Sequence, residues 1–129
     1  MKTVLLIDDD QDDSELFKEA IEEVNPEISF HHIEDGNQAI RELIDHRTLF
    51  PDLIFLDINL PMISGWECLK QFKGEQHLHK VPVIIYSTSS QTNEKETASR
   101  LGAAGFITKP DDYQQLKAVL QRILTGQSI

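Results

Sequence analysis

The sequence predicts an α/β fold: a doubly wound parallel sheet of five strands with helices on both faces. Three observations carry that prediction. Short apolar runs alternate with segments of helical period. The runs at 3–7, 53–56 and 83–86 are wholly apolar or nearly so, as in strands buried on both faces. No repeat, low-complexity segment or linker interrupts the five β/α units, so one unit over residues 1–129 is expected.

Thr3-Val4-Leu5-Leu6-Ile7 is the first strand. Leu16, Phe17, Ala20, Ile21 and Val24 then form one helical stripe, closed by Asn25-Pro26. Ile28 to Ile33 is more polar and is therefore an edge strand. Asp35-Gly36-Asn37 turns the chain and offers an N-cap to a helix carrying Ala39, Ile40, Leu43 and Ile44. Leu53-Ile54-Phe55-Leu56 is the third strand, and a helix after Gly65 turns Trp66, Leu69 and Phe72 inward. Val83-Ile84-Ile85-Tyr86 is the fourth strand. The segment from Gln91 to Leu101 has only Ala98 and Leu101 to bury, which makes a weakly held helix. Gly105-Phe106-Ile107-Thr108 is the fifth strand. Asp111 or Asp112 caps a last helix with Tyr113, Leu116, Val119, Leu120 and Ile123 inward.

Composition narrows the function. A net charge of −10 argues against a nucleic-acid partner, since phosphate backbones call for clustered Lys and Arg. No apolar run is long enough to span a membrane. The N-terminal apolar run is cut short by acids, unlike a signal peptide. Cys68 is the only cysteine, which rules out an internal disulfide and fits a cytoplasmic location.

In doubly wound sheets, ligands sit at the carboxyl ends of the strands. Asp8, Asp9 and Asp10 stand there after the first strand, Asp57 after the third, Ser87 after the fourth and Lys109 after the fifth. Asp8, Asp9 and Asp57 together would suit magnesium, a hard cation that takes one or two carboxylates and completes its shell with water and phosphate oxygens. Lys109 and Ser87 would supply a positive charge and a hydroxyl donor for phosphoryl oxygens. Asp57 is the candidate nucleophile, able to carry the group as an acyl phosphate. Asp12 and Asp13 fall at the start of the first helix, where negative charge complements the macrodipole.

The segments VLLIDD, FLDINLPMISG, IIYSTS and ITKP, in that order and spacing, resemble the bacterial response-regulator receiver domain of two-component signalling over essentially the whole chain. The resemblance implies the flavodoxin-like strand order 2-1-3-4-5. It implies that Asp57 accepts a phosphoryl group from a sensor histidine kinase or phosphotransfer protein. Asp9, Asp57 and the backbone carbonyl of Asn59 would hold Mg2+, with Asp8 acting through water. Ser87 and Lys109 would bind the phosphoryl oxygens, and a cis peptide before Pro110 would fix the bend. Ser87 stands where the family usually has Thr, and Phe106 where it often has Tyr. Phe106 can still swing inward when Ser87 moves, but makes no phenolic hydrogen bond. Ser89 is a further candidate, facing the site and influencing dephosphorylation.

The resemblance further implies a switch in protein contacts on the face made by the fourth helix, fifth strand and fifth helix. The stretches 45–51 and 73–80 and the motif LDINLP resemble stand-alone regulators paired with phytochrome-like and hybrid kinases. The expected output is a downstream protein target, with a weak homodimer through the fourth and fifth units. No DNA-binding or enzymatic output is expected after the fifth helix. A rival reading is an interaction module that keeps the fold without phosphorylation. A phosphohydrolase would need a second acid two residues after the nucleophile, where Asn59 stands. His31-His32 and His77-Leu78-His79 lack acidic or thiol partners at metal-ligand spacing and read as edge and loop residues.

Overall fold

The computed structural model describes residues 3–89 and 91–126. Strands β1 (Thr3–Ile7), β2 (Ser29–Ile33), β3 (Leu53–Leu56), β4 (Val83–Ser87) and β5 (Gly105–Thr108) alternate with helices α1 (Gln11–Val24), α2 (Gly36–Ile40), α3 (Gly65–Gly74), α4 (Thr92–Arg100) and α5 (Tyr113–Leu124). All strand pairs are parallel, in the order β2-β1-β3-β4-β5. The chain therefore winds outward from β1 in one direction to β2 and in the other to β3. This reversal opens a crevice at the carboxyl ends of β1 and β3.

The apolar runs feed two cores. Leu5, Ile7, Ile54, Leu56, Val83 and Ile85 point to one face, where they meet Ala39, Cys68, Leu69, Phe72 and Ala98 of α2, α3 and α4. Val4, Leu6, Leu53, Phe55, Ile84 and Tyr86 point to the other, against Phe17, Ala20 and Ile21 of α1 and Leu116, Leu120 and Ile123 of α5. Period-two alternation persists, but both sides are apolar because both are covered. Phe17 forms edge-on ring contacts with Phe55 and Tyr86 at 4.9 and 5.3 Å.

Polar caps set where each helix begins. The side chains of Asp10, Asp35, Ser64 and Asp112 each accept from the backbone N–H three residues on. Asp112, rather than Asp111, starts α5. The α4 N-terminus has no side-chain cap from its Gln91 position, and Ala98 is its one buried residue, as its polar sequence led one to expect.

Two elements differ from expectation. Leu16 is 46% exposed, because Phe17, Ala20 and Ile21 define the stripe and Leu16 lies about 100° around the helix from Phe17. The helix carrying Leu43 and Ile44 widens into a π turn over Arg41–Asp45, closed by His46 N–H on the Arg41 carbonyl at 2.8 Å. His77 meets the Leu43 carbonyl through Nε2 at 2.8 Å. It thus ties the α3–β4 connection to that turn instead of idling in a loop.

Cys68 is fully buried, and burial pushes its thiol up to about 11. At pH 8 roughly one thiol in a thousand would then be ionised. The native protein is expected to resist iodoacetamide at that pH and to be modified fully once unfolded in urea. Rapid native labelling, followed by mass spectrometry, would contradict the burial.

Candidate functional site

The sheet itself brings the acids together. Ile7 and Leu56 are paired across β1 and β3, so Asp8 and Asp57 stand side by side one residue further on. Both main chains prolong the ladder: Asp8 N–H donates to the Ile33 carbonyl and Asp57 N–H to that of Ile7, each at 3.0 Å. Asp8 Oδ1 accepts from Asp10 N–H, and Asp57 Oδ1 accepts from Asn59 N–H, both at 2.9 Å. Asp8 and Asp57 are buried, whereas Asp9 is exposed at the mouth. One carboxylate oxygen from each of the three lies within 4.8 Å of the others.

Lys109 enters from the opposite side. Its N–H donates to the Ser87 carbonyl at 2.7 Å, extending the β4–β5 pairing in which Ser87 faces Thr108. Its Nζ reaches Asp8 Oδ2 at 2.8 Å, Asp13 Oδ2 at 2.9 Å and Asp57 Oδ2 at 3.3 Å. The ring of Tyr86 lies 5.5 Å away. Burial alone would make Lys109 easier to deprotonate, but its contacts with the Asp8 and Asp13 carboxylates and the charge of Asp57 hold its pKa above the ordinary value. Burial pushes the Asp8 carboxyl up to about 6, despite the opposing effects of Lys109 and of Asp10 N–H.

Of the residues singled out from the sequence, Asp57, Asp8, Asp9 and Lys109 lie together. Asn59 stays on the surface, its N–H directed at Asp57. Ser87 is fully buried, and its Oγ accepts from Ser89 N–H at 3.2 Å. Ser89 turns its hydroxyl to Glu94 of α4. Phe106 is half-buried between α4 and the first core, with Lys95 Nζ 6.0 Å above its ring. The peptide before Pro110 is trans, which corrects the expected cis bond. A trans X–Pro bond is the lower-energy isomer by about 0.5–1 kcal/mol, and the chain bends only at Asp111 and Asp112 on its way to α5.

Two members of the site were missed. By position Asp13 only complements the helix dipole, yet it supplies a carboxylate to Lys109; it stands three residues after the Asp10 cap, to which its N–H donates. Gly65 abuts the Asp57 main chain: a Cβ there would lie 2.2 Å from the Asp57 carbonyl oxygen.

The donor set fits a divalent cation. Its members are all oxygens, and the one ammonium meets the three carboxylates of Asp8, Asp13 and Asp57. Asp8 Oδ2 is buried with no aligned hydrogen-bond donor, and only the Lys109 charge beside it. A hard ion that accepts carboxylate oxygens and keeps its own water suits such a site.

A buried acid pair at the switch point of a five-stranded doubly wound sheet, faced by a lysine just after the last strand, places the chain among doubly wound α/β domains with an acidic crevice at the strand ends. Within that class the chain belongs to the response regulator receiver domain family, which residues 4–121 match; these are receiver domains of two-component systems. It is 31% identical to the polar-differentiation response regulator DivK of Brucella anthropi over 84% of this chain and 85% of that one. It is 32% identical to the phosphate regulon transcriptional regulatory protein PhoB of Pseudomonas aeruginosa over 98% of this chain, but spans only 55% of that relative. Among solved structures, the phosphorylated cyanobacterial phytochrome response regulator RcpA superposes with a TM-score of 0.86 at 29% identity, covering 95% of this chain and 90% of that one. The Mn2+-bound response regulator Rcp1 gives 0.87 at 27%, covering 98% and 94%. Among the described residues no helix is long and apolar enough to cross a membrane.

Proposed function

We propose that this chain is a phosphorylation switch in which Asp57 takes a phosphoryl group from the phosphohistidine of a sensor histidine kinase or phosphotransfer protein. One observation carries the reading: the carboxylates of Asp8, Asp9 and Asp57 converge within 4.8 Å while Lys109 Nζ stands 3.3 Å from Asp57 Oδ2. An Asp57 carboxylate oxygen attacks phosphorus as the P–N bond breaks, and the imidazole leaves with the electron pair and takes a proton. Asp9, Asp57 and the Asn59 carbonyl would hold Mg2+ directly, with Asp8 acting through a water. The bound ion would neutralise charge on the transferring oxygens. Lys109 is already charged and held in place by Asp8 and Asp13, so it can meet a phosphoryl oxygen with little reorganisation. That Rcp1 binds Mn2+ and RcpA is found phosphorylated supports the same chemistry here.

The switch follows from Ser87. Its hydroxyl is engaged by Ser89 N–H, and an incoming phosphoryl group offers it a stronger, charged partner. Movement of Ser87 would loosen Ser89 and its Glu94 contact, and with them α4, the helix with least to hold it. Phe106 would follow, changing the α4–β5–α5 face toward a downstream protein or a second copy of the chain. Residues 1–129 would act as one receiver unit in the cytoplasm. Kinases of the phytochrome-like type are the favoured donors, given the likeness to RcpA. Acetyl phosphate with Mg2+ should add one phosphoryl group to the intact mass, and Asp57→Asn should add none. An unmodified parent, or an adduct that survives in the variant, would discard the reading; light scattering with and without phosphorylation tests the weak homodimer.

A further inference from the structure

We propose that His32 is a positioning residue for the acidic site: its ring clamps the Asp8 main chain and so sets where the Asp8 and Asp9 carboxylates stand for a divalent cation. The inference rests on the cation-binding reading above and adds to it a residue from the edge strand, outside the acid cluster.

Asp8 is held by β2 at both of its main-chain groups. Its N–H donates to the Ile33 carbonyl at 3.0 Å, and its carbonyl lies 2.7 Å from His32 Nε2. β2 ends at Ile33, and the chain turns away to cap α2 at Asp35. The imidazole thus supplies a donor where regular pairing stops. The Asp8–Asp9 peptide is planar, so fixing its oxygen also orients the bond that leads to Asp9.

Proton accounting settles how the ring acts. His32 Nε2 also lies 2.9 Å from Ser14 Oγ, and Ser14 Oγ donates its one proton to the Asp10 carbonyl at 2.8 Å. Toward the ring, Ser14 can therefore only accept, and a carbonyl accepts in any case. Nε2 carries the hydrogen and shares it between Asp8 O and Ser14 Oγ. Ser14 is buried and His32 half-buried, so water competes poorly for these bonds. One network thereby fixes the carbonyls of Asp8 and Asp10 on both sides of exposed Asp9. Groups that orient metal ligands in this way are worth about 10–100-fold in affinity.

The test uses the full chain. Mg2+ is titrated by fluorescence of Trp66, the single tryptophan, and Mn2+ by electron paramagnetic resonance. His32→Leu should weaken both ions about 10-fold or more while far-UV circular dichroism stays unchanged, and His32→Gln, which can place an amide N–H near Nε2, should recover most of the loss. Nitrogen NMR of the metal-free parent should show the His32 ring protonated at Nε2. Parental affinity in His32→Leu, equal losses in the Leu and Gln variants, or a ring protonated at Nδ1 would each overturn the proposal and leave the cation reading intact. A parent that binds neither ion overturns both. The ring measurement needs only the parent, so it decides the matter even if His32→Leu does not fold.

Discussion

Lys109→Ala is expected to cost about 3 kcal/mol of stability in metal-free buffer, with magnesium returning most of the difference. The ammonium is only 9% exposed and is the cation beside Asp8, Asp13 and Asp57. Its removal leaves buried carboxylates that repel one another and have lost water. The pH dependence follows from Asp8, whose folded pKa of about 6 lies above its ordinary 3.8 because of burial. A carboxyl raised in this way stabilises the fold below the unfolded value, and that contribution is lost as pH rises through the folded value. Lys109 pulls the Asp8 pKa down, so the variant's will lie higher still. The deficit should therefore be widest above pH 6 and shrink toward pH 4. Urea unfolding in chelator at both ends of that range, repeated with Mg2+, gives the comparison. A deficit that ignores both pH and magnesium would mean that Lys109 acts through packing alone. Phosphorylation by acetyl phosphate should fall about 100-fold or more, as when a preorganised charge is taken from a developing transition state.

The sequence made the sheet legible because its signal is local. Runs such as Leu53-Ile54-Phe55-Leu56 declare burial on both faces by composition, and the acids after them mark the strand ends. Strand order was not legible from the runs themselves, since nothing in LLI or LIFL says which neighbour it pairs with; that came from the resemblance. What escaped was whatever depends on side chains meeting across loops. Asp13 reads as one more helix-start acid, because a sequence separation of 96 from Lys109 hides the contact. His32 sat beside His31 in an edge strand, and only the fold reveals that His32 turns inward to Ser14 and the Asp8 carbonyl while His31 stays exposed. Leu16 failed in the opposite direction: apolarity suggested burial at a position just outside the arc that α1 turns to the sheet. The peptide expected to be cis before Pro110 is trans, because sequence spacing does not specify a peptide isomer.

Gly65→Ala should damage the site from behind. Its added Cβ would lie 2.2 Å from the Asp57 carbonyl oxygen, 2.6 Å from Ile58 Cα and 2.9 Å from the Asp57 carbonyl carbon. All three are main-chain atoms, so no side chain can rotate out of the way. Gly65 also donates its N–H to the Ile58 carbonyl at 3.1 Å, which locks the first turn of α3 onto the segment that carries Asp57. One extra carbon must therefore push α3 off β3 or shift Asp57, at about 2–3 kcal/mol for overpacking of this kind. Either movement changes the distance between Asp57 Oδ2 and Lys109, and phosphorylation depends steeply on such placement. The expected result is a lower urea midpoint together with a loss of about 10-fold or more in the acetyl-phosphate rate, measured under conditions where the variant is fully folded. Gly74→Ala is the matched control: it lies at the other end of α3, and a Cβ there would meet nothing within 4 Å. That change should leave the rate alone and alter stability by less than about 1 kcal/mol, in the direction of the better helix former. Parental kinetics in Gly65→Ala would show that the β3–α3 junction has slack, and the close approach would then be a matter of packing rather than of holding the acceptor in place.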